Sequence, residues 1–334
     1  MPVSIKDIAR LAGVSHSTVS RALHKSPLIP PATAERIQRI AEEQGYTASA
    51  VARSLVTRRT QAIGVVVTSI ADPFNGDVVD GIEEVANEGG YSVILATSQA
   101  DPQRELAVVR SCQERRVDGI LVASSRIGAL YVPLLSELEV PIVLLNNQHE
   151  SDFAYSVRID NVHGMRLATG HLLDLGHTRI AYVGDRFGLH SDEERLAGYS
   201  QALNARKIPM DQALVVRGDG KAHAAGAALD HLLKTQRRPT AIACYNDMTA
   251  LGVAHRAQEL GITVPGELSV TGFDDIPFAA FAGPPLTTVR QPRRDMGRQA
   301  MQLLFALLNG APAEKTYVIN GELIVRGSTA PCSA

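Results

Sequence analysis

Near the amino terminus four polar side chains, His16, Ser17, Ser20 and Arg21, share a short helical pattern whose apolar residues, Val19, Ala22 and Leu23, fall on the other side. An imidazole, hydroxyls and a guanidinium on one free helix face are hydrogen-bonding groups suited to base edges and phosphate oxygens. The elements that must present them are legible around that face. Ile5, Ile8, Ala9 and Ala12 recur at helical spacing, and Gly13 stands where a helix must stop and the chain reverse. Ser15 can cap the next helix, with Thr18 three residues on. Two short helices crossing at a glycine-containing turn form a helix-turn-helix, whose second helix enters the major groove. A third helix is predicted over 31–44, with Thr33, Ile37, Ile40 and Ala41 inward, Pro30-Pro31 as its entrance and Gly45 as its end.

The charge pattern coincides with this segment. Residues 1–60 carry nine Lys and Arg against four Asp and Glu, whereas the remainder carries 24 against 31. The net charge of −2 therefore hides a basic head on an acidic body. A basic segment suits a polyanion, because each neutralised phosphate releases counterions. A charge excess alone is more often a solvated face; here it falls on the helix-turn-helix.

Other chemistry is poorly provided for. His163, His171 and His177 do not share one helix face, and adjacent residues such as Asp274 and Asp275 diverge in a strand-end turn. There is no phosphate loop ending in Lys-Ser/Thr, no nucleophile elbow and no His/Glu metal spacing. Cys112, Cys244 and Cys332 are too scattered for a disulfide framework or a zinc site. The expectation is thus neither an enzyme nor a metalloprotein, with no cofactor. A secreted or periplasmic binding protein, the other competing class, needs a leader peptide that the opening residues do not resemble, and has no use for a basic head. No apolar run is long enough to cross a membrane, and a cytoplasmic location is expected.

From Ala62 the pattern changes. The run 63–68 is apolar and β-branched, as in a parallel strand buried on both faces. Further strands are predicted at 91–97, 119–123, 141–145, 180–184, 214–216, 241–243 and 268–271. Helices are predicted at 75–88, 102–115, 128–138, 162–175, 192–206, 222–235 and 247–260. A long helix at 293–309 and short strands at 317–319 and 323–326 follow. The alternation implies doubly wound α/β architecture, in two similar sets before and after about residue 160. Ligands of such sheets bind beyond the carboxyl ends of the strands, so two facing lobes would enclose a small molecule and close on it. Residues 47–60 include a short basic stretch, too short for a stable isolated helix, which composition alone reads as a linker.

Taken in order, Ile8-Ala-Arg-Leu-Ala-Gly-Val-Ser-His-Ser-Thr-Val-Ser-Arg21, Ala50-Val-Ala-Arg-Ser-Leu55, Gly176-His-Thr-Arg-Ile180, Arg195-Leu-Ala-Gly-Tyr199, Asn246-Asp247, Gly272-Phe-Asp-Asp275 and Pro285-Leu-Thr-Thr-Val-Arg-Gln-Pro292 resemble the LacI/GalR family of bacterial transcription regulators over nearly the whole chain. The resemblance implies an α/β protein with a three-helix head over 1–48, a hinge helix and linker over 49–60, and an effector-binding and dimerisation domain over 61–334. That domain would comprise two subdomains of periplasmic-binding-protein type, the first about 61–160 and 292–320, the second about 161–291 and 321–334. It implies a repressor that binds palindromic double-stranded operator DNA as a homodimer under control of a carbohydrate-type effector: a sugar, sugar acid or sugar phosphate. His16, Ser17 and Arg21 match base-reading positions, and Arg21 can pair bidentately with guanine. Thr18 and Ser20 are placed for phosphates. Leu55 matches the wedge that a hinge helix drives into the minor groove, beside the small Ala52, which replaces the linker reading of that stretch. Without a heptad-bearing tail after the last strand, a homodimer rather than a tetramer is expected.

The same resemblance places effector contacts at Asp72, Phe74, Ser124, Asn146, Arg195, Asn246 and Asp274. Ordinary turn chemistry is the alternative for Asp72, Asn146 and Asn246, and a core aromatic the alternative for Phe74. There are departures. Ala48 stands where proline often precedes the hinge helix, His24 where asparagine is usual, and Pro30 where a Ser/Thr cap is usual. Gly220 and Lys221 replace a frequent aromatic, and Arg293 occupies a position often apolar. With Arg126 and His190, these basic residues give the expectation of an anionic effector.

Overall fold

The computed structural model describes residues 3–23, 26–46, 59–125, 140–147 and 155–332. The expected hinge helix with Ala52 and Leu55, the helix at 128–138, and His24, Ala48 and Arg126 lie outside the described residues. The chain divides into two compact units, Met1–Thr60 and Gln61–Ala334.

In the first unit α1 (Ile5–Leu11), α2 (His16–Leu23) and α3 (Pro31–Glu43) surround a small core in which Ile8, Val19, Ala22 and Ile37 are fully buried. The punctuation is chemical. Asp7 accepts hydrogen bonds from the Ser4 backbone and hydroxyl, tying down the start of α1. Gly13 takes φ +61°, which a side chain would make costly, and Ser15 Oγ then accepts the Thr18 N–H at 3.1 Å to open α2. Pro30, lacking a capping side chain, still offers its carbonyl to Thr33 and Ala34, and Pro31 fills the first helical position.

The second unit is built on two six-stranded sheets. The first contains β1 (Ala62–Val67), β2 (Ser92–Thr97), β3 (Gly119–Ala123), β4 (Ile142–Leu145), β5 (Tyr155–Ile159) and, after a long excursion, β11 (Thr316–Ile319). Its order is β11-β5-β4-β3-β1-β2, every pair parallel. The second contains β6 (Ile180–Asp185), β7 (Val215–Gly218), β8 (Ala241–Cys244), β9 (Ser269–Asp274), β10 (Thr287–Arg290) and β12 (Glu322–Ile324). Its order is β12-β10-β9-β8-β6-β7, parallel except for the β12 edge. Helices α4 (Pro73–Glu88), α5 (Pro102–Glu114) and α11 (Arg293–Leu308) pack on the first sheet. Helices α6 (Asn161–Asp174), α7 (His190–Ala205), α8 (Ala222–Leu232), α9 (Asp247–Glu259) and the short α10 (Pro277–Phe281) belong with the second. The chain thus passes between lobes after β5, after β10 and after β11. β1, β3, β4, β8 and β9 are buried almost end to end, as sheets covered on both faces require.

Two strands and one helix differ from the sequence pattern. β5 reads Tyr-Ser-Val-Arg-Ile, too polar to stand out. In β10, Thr287 and Thr288 are fully buried because their hydroxyls find partners in Thr329 and Asp247. α10 has five residues, below the length at which periodicity is readable.

Candidate effector cleft and DNA-reading helix

The strands of both sheets end at one concavity. Asp72 follows β1 and caps α4, its Oδ1 accepting the Phe74 N–H at 3.0 Å. Ser124 follows β3 at φ +55°, and Asn146 follows β4 at φ +45°. Asn146 Oδ1 accepts the Ile159 N–H at 3.2 Å, and its Nδ2 donates to Gln291 Oε1 at 3.3 Å. Asn246 follows β8 and caps α9: its Oδ1 accepts from the Thr249 N–H and hydroxyl, and its Nδ2 donates to Gly220 O at 3.0 Å. Asp274 ends β9 at φ +119°.

These residues, with Phe74 and Arg195, line a single cavity, a concave site of the kind that takes small molecules. All seven positions singled out in the sequence as effector contacts are brought together there. Asn246 and Asn146 do turn chemistry as well, holding the loops that shape the wall. The sequence reading missed Asn161, Ser191, Tyr245, Met248, Ile276 and Gln291. Asn161 and Gln291 follow β5 and β10, the two strands not recognised; Tyr245 and Met248 flank Asn246 and could have been found by reading outward from that strand end.

Arg195 is the organising cation. Its guanidinium lies 3.8 Å from the Phe273 ring centroid and 4.6 Å from that of Tyr245, a cation–π arrangement. Nε donates to Asn161 Oδ1 at 2.8 Å and NH1 to the Tyr245 carbonyl at 2.6 Å, leaving NH2 3.8 Å from Asp274 Oδ1. Gln291 Nε2 donates to the same Asp274 oxygen at 2.7 Å. Burial pushes the Asp274 carboxyl up to about 6, against the attraction of Arg195. Behind it the fully buried Asp247 is also driven well above the ordinary carboxylate range, by burial first and then by the Asp274 charge. Asp247 is a structural acceptor, taking the Thr288 hydroxyl at 2.5 Å and the Ile276 N–H at 2.8 Å.

The lining carries two carboxylates, Asp72 and Asp274, and one guanidinium. Of the basic residues behind the expectation of an anionic effector, the described ones do not line the cavity. Arg293 is engaged by Asp77, His190 faces Glu193 and Glu194 at 3.7 and 3.3 Å, and Lys221 is exposed and absent from the wall. Among the described residues no group of three or more His, Cys, Asp or Glu could hold a metal ion, and no helix is long and apolar enough to cross a membrane.

In the head, His16, Ser17 and Arg21 are exposed on α2 while Thr18 and Ser20 are half-buried, and Val19 and Ala22 anchor the helix inward. The helix therefore presents the base-reading candidates to solvent.

Comparison with known proteins bears on both units. The family of bacterial regulatory proteins of the lacI type matches residues 4–49, and a periplasmic binding protein-like domain matches residues 169–329. The HTH-type transcriptional repressor PurR of Vibrio atlanticus (strain LGP32) is 36% identical over 327 residues, covering 97% of this chain and 98% of that protein. The Lac repressor dimer bound to operator and the anti-inducer ONPF superposes with a TM-score of 0.90 at 27% identity, covering 99% of this chain and 100% of that one. The transcriptional regulator CelR in complex with cellobiose superposes with a TM-score of 0.74 at 31% identity, covering 98% and 99%.

Proposed function

From the premise that this chain belongs to the LacI family and is a DNA-binding transcriptional repressor with an effector-binding domain, we propose that it binds a near-palindromic operator as a homodimer and answers to a neutral polyhydroxylated effector in the cleft. The observation that carries the effector reading is the convergence of Asp72, Phe74, Ser124, Asn146, Arg195, Asn246 and Asp274 from separate strand ends on one cavity. Asp274 and Arg195 are the polar pair: one hydroxyl donates to the carboxylate while accepting from the guanidinium NH2. Phe74 offers an apolar face to a sugar ring. A negative excess in the wall favours donors over anions. The cellobiose bound by CelR, a structural neighbour, is a compound of this class.

On the DNA side His16, Ser17 and Arg21 read base edges, Thr18 and Ser20 fix register on phosphates, and Ala52 and Leu55 act in the minor groove. Two-fold protein symmetry then maps onto a palindromic site. Phe278 and Phe281, 58% and 87% exposed on α10, give an apolar surface for a second copy; the related Lac repressor was solved as a dimer. A DNA target places the working protein in the cytoplasm. The effector acts by binding one lobe arrangement better than another, so that its differential affinity is transferred to the DNA equilibrium.

Isothermal titration with neutral mono- and disaccharides, sugar acids and sugar phosphates tests the effector class. Saturable binding of a neutral sugar, lost in Asp274→Asn, is expected; tight binding of acids or phosphates alone would overturn it.

A further inference from the structure

Arg293 opens α11, immediately after the chain leaves β10 to return to the first lobe. A cation at a helix N-terminus faces the positive end of the helix dipole, so the helix gives no reason for an arginine there. The side chain is nevertheless 8% exposed and fully committed. NH1 donates to the Asp274 carbonyl at 2.8 Å, Nε donates to Asp77 Oδ2 at 3.0 Å, and NH2 also reaches Asp77. Asp274 closes β9 in the second lobe; Asp77 sits on α4 in the first. One planar guanidinium, with donors on two edges, therefore joins the lobes at the residue that ends the cleft wall.

The turn it holds is strained. Asp274 has φ +119° and Asp275 φ +54°, conformations that persist only where the surroundings over-determine them. Asp275 is fixed by Arg290 Nε at 2.8 Å and Arg326 NH2 at 2.7 Å, both from the second lobe. Gln291 adds a second, weaker line across the lobes, from Asn146 through its amide to Asp274 Oδ1.

We propose that Arg293 is a positioning residue of the cleft: by gripping the Asp274 carbonyl and Asp77 together it couples the angle between the lobes to the aim of the Asp274 carboxylate. Only the consequence for effector capture rests on the function proposed above; the coupling is a property of the free protein.

The test is electron–electron distance measurement on the full chain with spin labels at Glu114→Cys on α5 and Gln258→Cys on α9, both exposed, in a Cys332→Ser background. Dilution with unlabelled protein ensures that one labelled copy is read per assembly. The parent should give one narrow distance. Asp77→Asn and Arg293→Met should each broaden it or add a second distance, while Asp77→Glu, which keeps a carboxylate, should restore the parent distribution. Asp77 is a partly exposed helix residue, so Asp77→Asn leaves the fold intact if Arg293→Met does not. An Asp77→Asn distribution indistinguishable from the parent would overturn the proposal, as would broadening in Arg293→Met alone. Because no effector enters the measurement, that failure would leave the effector reading standing.

Discussion

Replacing Asp274 by asparagine should stabilise the protein while abolishing effector binding, and the size follows from the site. The carboxyl is 8% exposed and its pKa is raised from 3.8 to about 6 by burial. The folded state thus holds its proton more tightly than the unfolded chain. Stability is fully present below about pH 4 and is lost as the pH climbs through about 6. At neutral pH the ionised form is disfavoured by roughly 3 kcal/mol relative to the unfolded chain. An amide carries no such penalty, keeps an oxygen for the Gln291 N–H and removes the charge that strains Asp247. Against this, the buried Arg195 loses a nearby counter-charge. The net expectation is a gain of roughly 1 to 3 kcal/mol at pH 7.5, shrinking to nothing near pH 4. Urea denaturation followed by circular dichroism suits a chain with no tryptophan. A variant less stable than the parent at pH 7.5, or a difference independent of pH, would refute the reasoning.

Gly297→Ala should destabilise the second unit by about 2 kcal/mol or more, because a Cβ there collides with the Val78 carbonyl where α11 crosses α4; thermal melting checks it. His177 is buried between Thr240, Ser269 and the Ala330 carbonyl, and burial lowers its pKa below 6.5. The unfolded chain therefore takes up its proton first, and stability falls as pH drops below about 6.5. His177→Asn should flatten that fall between pH 7 and pH 5 in parallel urea titrations, although the general loss of hydrogen bonds lowers stability throughout. Arg21→Ala should weaken binding to the preferred operator by about 1 to 3 kcal/mol and relax specificity at one base position, measured by anisotropy on a set of single-base operator variants.

The sequence made legible what depends on local pattern. Gly13, Ser15 and the spacing of Ile8, Val19 and Ile37 specify the head because a turn, a cap and one apolar stripe suffice for it. Strands buried on both faces, such as β1 and β3, announce themselves as apolar runs. What escaped were elements whose stability comes from distant partners. β10 is half threonine, and its hydroxyls are acceptable in the core only because Asp247 and Thr329 are brought to them by the fold. With β5 and β10 unread, Asn161 and Gln291 at their ends went unread too. The surroundings of Arg293 were illegible for the same reason. As a residue type it signals charge for a ligand, but its partner Asp77 lies 216 positions away in sequence and neutralises it inside the protein. Asp72, Asn146 and Asn246 show that turn chemistry and a place in the cleft wall are compatible: each side chain that shapes its loop also faces the cavity.

The most direct measurement of the account is the affinity of the full-length protein for a palindromic duplex selected from a random pool, read by fluorescence anisotropy at fixed salt, with and without a panel of neutral sugars. Tight, salt-dependent binding is expected, its affinity changed several-fold by at least one neutral sugar and the change absent in Asp274→Asn. Specific DNA binding that no sugar alters, while a purely anionic compound does, would contradict the effector assignment; no specific duplex emerging from the selection would contradict the account as a whole.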